Sequence, residues 1–140
     1  MELDQLSAID PVYEPAFTHH EEEIDAGRMV MELGGELDMF VSPRLAARFR
    51  ELAEDGCHDV VVDLSDVRFI DTYALGTLLT AQQELQAHDH ALAVVADRPY
   101  PRRTFEVTGL EEALRVSRSR DEALGRLRVR ALSANRSSPS

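Results

Sequence analysis

The sequence predicts an α/β domain whose mixed sheet opens with an N-terminal hairpin and continues with parallel strands, covered by about four helices. Val60-Val61-Val62-Asp63-Leu64 and Ala91-Leu92-Ala93-Val94-Val95-Ala96 are short apolar runs of the kind buried on both faces of a parallel sheet. Between them, Leu75, Leu78, Leu79 and Leu85 fall on one side of a helix. Strand, helix and strand at this length make a βαβ unit, for which parallel strands and a right-handed crossover are expected. A chain of 140 residues, 44% of them hydrophobic, suits one such domain with its own core.

The remaining elements follow in order. Residues 1–14 lack periodicity and hold Pro11 among scattered acids, so they read as a loose lead-in to a domain spanning 15–132. Ala16 to Glu23 is a weak, polar strand. Asp25-Ala26-Gly27 supplies a turn, and Arg28 to Leu33 alternates with Met29, Met31 and Leu33 on one face, which completes a hairpin. Ser42-Pro43 marks a helix start, with a side-chain oxygen to cap free amides and a proline at the first position. Leu45, Phe49, Leu52 and Ala53 form its apolar stripe, and Gly56 suits the stop. After the second βαβ strand, residues 101–108 make a short helix closed by Gly109, and Leu114-Arg115-Val116 a short last strand. Ser119 and Glu122 have capping-box spacing before a final helix with Ala123, Leu124 and Leu127 inward. Residues 133–140 are a polar, disordered tail.

Charge and composition exclude several functions. The net charge of −11 argues against nucleic acid as a partner, since phosphate contacts need a basic surface. The balance is uneven: residues 1–90 carry 5 Arg against 20 acids, residues 91–140 carry 10 Arg against 6. All fifteen basic residues are Arg, which removes chemistry that needs a lysine amine. No apolar run approaches a membrane span and no signal peptide is evident, so no membrane association is expected. With Cys57 alone, no internal disulfide can form, and a cytoplasmic location is expected.

Familiar catalytic signatures are absent. There is no Gly-rich phosphate loop, Gly-x-Ser-x-Gly elbow or His-Glu-x-x-His helix, and no nucleotide site or other cofactor is expected in this chain. His19-His20 beside Glu21-Glu22-Glu23, and the pair His88 and His90, read as solvated polar residues rather than metal ligands. Cys57 reads as inert. An enzyme using Asp38, Asp63 or Asp71 as acid or base is the weakest functional class, because no nucleophile or pocket accompanies them.

One stretch stands apart, running from Val60 to Gly76. An apolar strand leads through a loop to Asp71-Thr72 at the start of a helix, where α/β sheets display functional groups beyond their carboxyl ends. Thr72 would be an exposed hydroxyl there. Asp71 or Thr72 could equally serve as the helix cap, and a capping residue can also be a modified one.

These residues resemble the signature of the anti-sigma factor antagonist family, whose fold is the STAS domain. The matches are Asp63-Leu64-Ser65, Phe69-Ile70, Asp71-Thr72, Leu75 and Gly76, with Gly35-Glu36-Leu37-Asp38 similar to a second hallmark just after a strand. The resemblance covers roughly Ala16 to Leu132 and implies a STAS-like single domain. It implies a regulatory switch in the bacterial stress response: the chain binds an anti-sigma factor with serine/threonine kinase activity and so releases a sigma factor. The partner, not this chain, holds the ATP. Phosphorylation of Thr72 ends the binding, and a phosphatase resets it. Asp38 and Asp71 match acidic positions that contribute to partner contact.

Two departures lie beside the acceptor. Tyr73 stands where the family usually has Ser or Thr, and Ala74 where it has Gly. Tyr73 could cover a neighbouring groove or extend a partner surface. Met39, Phe40 and Val41 could bury their loop or join that surface, since aromatics and Met suit interface centres. The alternative within the family is a scaffold or sensor subunit of a larger assembly, without a phosphorylation cycle.

Overall fold

The computed structural model describes residues 17–56 and 58–127. The lead-in at 1–14, Cys57 and the tail at 133–140 lie outside the described residues. Strands β1 (Phe17–Asp25) and β2 (Arg28–Leu37) form the antiparallel hairpin, from Phe17 opposite Gly35 to Asp25 opposite Arg28. Asp25 makes the turn: one carboxylate oxygen accepts the Gly27 amide at 3.0 Å and the other binds the Arg28 guanidinium at 2.6 Å. Helix α1 (Ser42–Asp55) connects to β3 (Asp59–Ile70), which runs parallel to β2. Helix α2 (Thr72–Gln86), strand β4 (Leu92–Val95), helix α3 (Pro99–Thr108) and strand β5 (Val116–Ser117) follow, and a last helical segment, α4, occupies 120–127. The five strands lie side by side in chain order, and every pair after the hairpin is parallel.

The sheet separates two cores. On one face Met29, Met31, Leu33, Val60, Val62 and Val94 pack with Leu45 and Phe49 of α1, Leu75, Leu78 and Leu85 of α2, and Phe105 of α3. On the other, Val30, Val61, Ala93 and Val95 meet Ala123 and Leu127 of α4. Successive side chains of β2, β3 and β4 therefore alternate between two apolar environments, which is why their sequences read as unbroken apolar runs. Gly56 and Gly109 end α1 and α3 in the left-handed conformation, at φ 62° and 74°. Ser119 Oγ accepts the Glu122 amide at 3.2 Å, the cap expected of α4. No helix among the described residues is long and apolar enough to cross a membrane.

Four expectations need correction. Strand β2 continues past Leu33 to Leu37, so Gly35-Glu36-Leu37 lie within the strand rather than after it. The glycines hid this. A Cβ at Gly34 would collide with Thr18 Oγ1 on β1, and Gly35 has φ 86°, so this close pairing favours residues without side chains. Strand β3 likewise runs on through Ser65 to Ile70, which the sequence suggests is loop. Its ladder with β4 stops at Asp63 opposite Val95, while pairing with β2 persists through irregular register, so polar residues occupy the half with one strand neighbour. The last strand is Val116–Ser117; Leu114 and Arg115 form the turn into it, with Arg115 at φ 48°. Finally, Ser42 does not cap α1: Val41 holds the N-cap position without a side-chain bond, and the Ser42 hydroxyl donates to the Asp38 carbonyl instead.

Candidate functional site at the start of the second helix

The carboxyl ends of β2 and β3 lie side by side, with Leu37 opposite Ile70, and each strand delivers an aspartate to the next helix. Asp71 has extended backbone (φ −107°, ψ −179°) and caps α2: Oδ1 accepts the Ala74 amide at 3.0 Å and its carbonyl accepts the Leu75 amide at 3.1 Å. Such a cap is worth about 1 kcal/mol. Its other oxygen, Oδ2, accepts the Met39 amide at 2.9 Å, and its own amide donates to Leu37 O at 3.0 Å.

Asp38 closes the turn that leads into α1. Its Oδ1 accepts the amides of Phe40 (3.0 Å) and Val41 (3.1 Å), and its carbonyl accepts the amide and hydroxyl of Ser42 at 3.0 and 2.9 Å. The two acidic residues singled out in the sequence are thus neighbours that hold two helix starts together. The pattern Asp-x-x-Val-Ser before a helix was the available signal for Asp38, masked by the stronger Ser-Pro start.

With Asp71 acting as cap, Thr72 becomes the first residue of α2, and it is exposed. Around it, Phe40 is 81% exposed, Tyr73 60% and Met39 48%. All three side chains face solvent rather than the core. Val41, by contrast, is buried, as is Ala74, whose methyl joins the core. Gly76, one turn after Thr72, is exposed and has open space where a Cβ would stand. A glycine in mid-helix without a packing reason sacrifices about 0.5–1 kcal/mol. The result is a hydroxyl bordered by apolar side chains and bare backbone.

The third aspartate, Asp63, is not part of this cluster. It is buried; Oδ1 accepts the Ser65 amide (2.9 Å) and hydroxyl (2.5 Å), and Oδ2 accepts from Arg120 Nε at 2.6 Å. Arg120 also pairs with Glu32, so Asp63-Leu64-Ser65 fastens α4 to the sheet. The histidines are held singly. His19 lies 2.8 Å from Glu21, His88 faces the Glu84 carbonyl, and His90 sits between Asp59 (3.1 Å) and the Gly56 carbonyl (2.8 Å). No group of three potential metal ligands converges among the described residues.

The profile of the STAS domain family matches residues 18–123. The chain belongs to this family. Its relatives place it among the anti-sigma factor antagonists: the anti-sigma-B factor antagonist of Staphylococcus aureus is 30% identical over 87 residues, 62% of this chain and 81% of that one. An anti-sigma factor antagonist from Mycobacterium paratuberculosis has a similar structure, with 30% identity, a TM-score of 0.72, and 80% of this chain and 94% of that chain covered. The Bacillus cell fate determinant SpoIIAA in its phosphorylated form shares the fold at 22% identity and a TM-score of 0.59, with 78% and 98% covered. In this STAS domain the hallmark motifs converge: Gly35–Asp38 ends β2, Phe69–Gly76 spans the end of β3 and the start of α2, and the Asp71–Met39 bond ties them.

Proposed function

We propose that this STAS domain binds an anti-sigma factor serine/threonine kinase through the surface around Thr72, thereby releasing a sigma factor, and that phosphorylation of Thr72 ends the binding. The observation that carries the reading is the exposed Thr72 hydroxyl at the first residue of α2, beside the exposed Phe40, Met39 and Tyr73. Apolar side chains of this size supply interface area, and the bare backbone at Gly76 lets a partner approach the helix closely.

The chemistry asks little of this chain. The partner holds the ATP; its γ-phosphoryl group passes to Thr72 Oγ as the β–γ bond breaks, leaving ADP on the partner and releasing the hydroxyl proton to a base of the partner. The Thr72 and Tyr73 amides have no acceptor within the helix, so the new phosphate can take hydrogen bonds there in the free protein. At an interface the same group brings about −1.5 to −2 charges next to the Asp71 carboxylate, with Asp38 on the adjoining loop. A loss of ~3 kcal/mol lowers affinity more than a hundredfold, which local repulsion and bulk can supply without rearrangement. A phosphatase resets the switch.

The test is intact and peptide mass spectrometry of the protein from its own cells, with Thr72→Ala as control and with partner binding measured for both forms. Phosphate on Thr72, absent from the control and weakening the kinase complex, is the expected result. An unmodified Thr72 in growth and stress alike would favour a non-cycling scaffold, and phosphate on Tyr73 would displace the switch by one residue.

A further inference from the structure

A second exposed apolar surface lies on α3, apart from the Thr72 hydroxyl. Tyr100, 49% exposed, stacks on Phe69 with ring centres 6.1 Å apart and planes 15° from parallel. From Tyr100 an open groove continues along α3, lined by Arg103, Thr104, Val107 and Thr108, with Val107 74% exposed. Pro101 and Phe105 of the same helix are buried, so Tyr100, Arg103 and Val107 mark its outer face. The polar groups of the groove are of two kinds. The Thr104 and Thr108 hydroxyls donate to the Tyr100 and Thr104 carbonyls at 3.1 and 2.7 Å, so their protons are satisfied within the helix and lose water at little cost. The Arg103 guanidinium has no ion-pair partner among the described residues, and neither has that of Arg98 at the start of α3. No carboxylate lines the groove, and Glu106 on the same helix is taken by Arg102 at 3.5 Å. Whatever covers the groove must therefore bring an acid to Arg103 or leave a desolvated cation unpaired.

We propose that this face of α3 docks an acidic amphipathic helix of a partner protein. The spacing carries the choice of a helix. Tyr100, Arg103 and Val107 stand at i, i+3 and i+7, one helical turn apart, or roughly 5 Å each. A partner helix with an apolar residue, a carboxylate and a second apolar residue at the same spacing meets all three together. The stacked rings of Phe69 and Tyr100 supply the aromatic anchor at one end, and Val107 the apolar contact at the other. Between them the Arg103 fork can take a carboxylate through two parallel hydrogen bonds, which fixes the register of the partner helix.

Charge rules against the other occupants. A second copy offering the same α3 face would set Arg103 against its equivalent. An anionic lipid surface would attract Arg98 and Arg103, but the net charge of −11 and the exposed Asp97, Glu106 and Glu112 around α3 oppose it. Charge also separates this surface from the other exposed apolar patch. Met39 and Phe40 lie beside the carboxylates of Asp38 and Asp71, which repel an acidic helix, whereas Arg98 and Arg103 attract it. The two patches therefore select different chemistries, and docking on α3 does not depend on phosphorylation of Thr72.

The test is photocrosslinking in the protein's own cells, with a benzophenone amino acid in place of Val107 in the full chain. The captured peptide is sequenced by mass spectrometry, synthesised and titrated onto the parent chain by calorimetry. The expected peptide carries apolar residues and carboxylates at helical spacing, whichever protein supplies it. Its affinity should fall roughly tenfold or more in Arg103→Glu, a loss of one close charge pair. It should hold in Arg103→Lys, which keeps the charge, and return in Arg103→Glu when the facing acid of the peptide is replaced by Arg. An unchanged melting temperature shows that Arg103→Glu is folded. A captured peptide without acids, or an affinity that Arg103→Glu leaves unchanged, overturns the proposal. So does the absence of any adduct. A phospholipid adduct would assign the face to a membrane, and an adduct of this chain with itself to a second copy; either overturns it as well. Repeating the capture in Thr72→Ala should give the same peptide, so failure here and failure of the phosphorylation switch are read separately.

Discussion

Asp71 Oδ2 accepts the backbone amide of Met39 at 2.9 Å, while the other oxygen of the same carboxylate caps α2 through Ala74. One side chain therefore fixes both the helix that presents Thr72 and the loop that presents Met39 and Phe40. Each bond alone is worth about 1 kcal/mol, but together they set the spacing of a surface drawn from two parts of the chain.

Removing that carboxylate should loosen both at once. Asp71→Ala is expected to lower stability by about 1–3 kcal/mol in urea denaturation, and Asp71→Asn, which keeps one acceptor oxygen, by less. Hydrogen exchange should quicken at the amides of Met39 and Ala74 together. Acceleration at Ala74 alone would show that the loop does not depend on this bond.

Gly76 separates fold from binding. Gly76→Ala should stabilise the chain by about 0.5–1 kcal/mol, since the helix gains propensity and the methyl meets nothing within 4 Å. The same substitution should weaken binding to a kinase partner in calorimetry. Unchanged affinity would place the partner elsewhere on the domain.

Arg120 bridges α4 to Asp63 and Glu32 on the sheet. Arg120→Met should cost roughly 2 kcal/mol, below the 3–5 typical of a fully buried pair because Arg120 and Glu32 are partly exposed. Adding Asp63→Asn should recover part of that loss, because the buried charge is then gone as well. Denaturation of the two variants measures both terms.

Acid should release one contact on the opposite edge. The Arg48 guanidinium holds the Glu21 carboxyl below its ordinary value, through hydrogen bonds of 2.7 and 2.8 Å. A group lowered on folding stabilises above its unfolded value and stops doing so as pH falls through the folded one. Glu21→Gln should therefore be less stable than the parent at neutral pH, by up to about 1 kcal/mol for a partly solvent-screened pair. The difference should begin to shrink below the ordinary carboxylate range and vanish once pH has fallen through the lowered folded value. A gap that does not shrink at all on acidification would mean packing, not charge, is responsible.

Element order, the hairpin, the parallel strands, the apolar stripes of α1 and α2, the glycine stops and the capping Ser119 are all legible in the sequence. Each depends on spacings of a few residues, which burial imposes and a single chain displays. The resemblance around Asp71-Thr72 also identified the family. Folding in three dimensions was needed to show that Asp38 closes the turn before α1, that Asp71 reaches Met39, that Asp63 is held by Arg120, and that Phe69 lies on Tyr100. These partners are separated by 31 residues or more wherever they cross between elements. The exception, Asp38, was hidden by a competing local signal at Ser42-Pro43. Long-range pairing depends on strand register, and in β2 and β3 the register shifts at bulges that periodicity does not record. Exposure of Phe40 and Tyr73 was likewise a tertiary matter, because an apolar side chain faces water or core according to what packs over it.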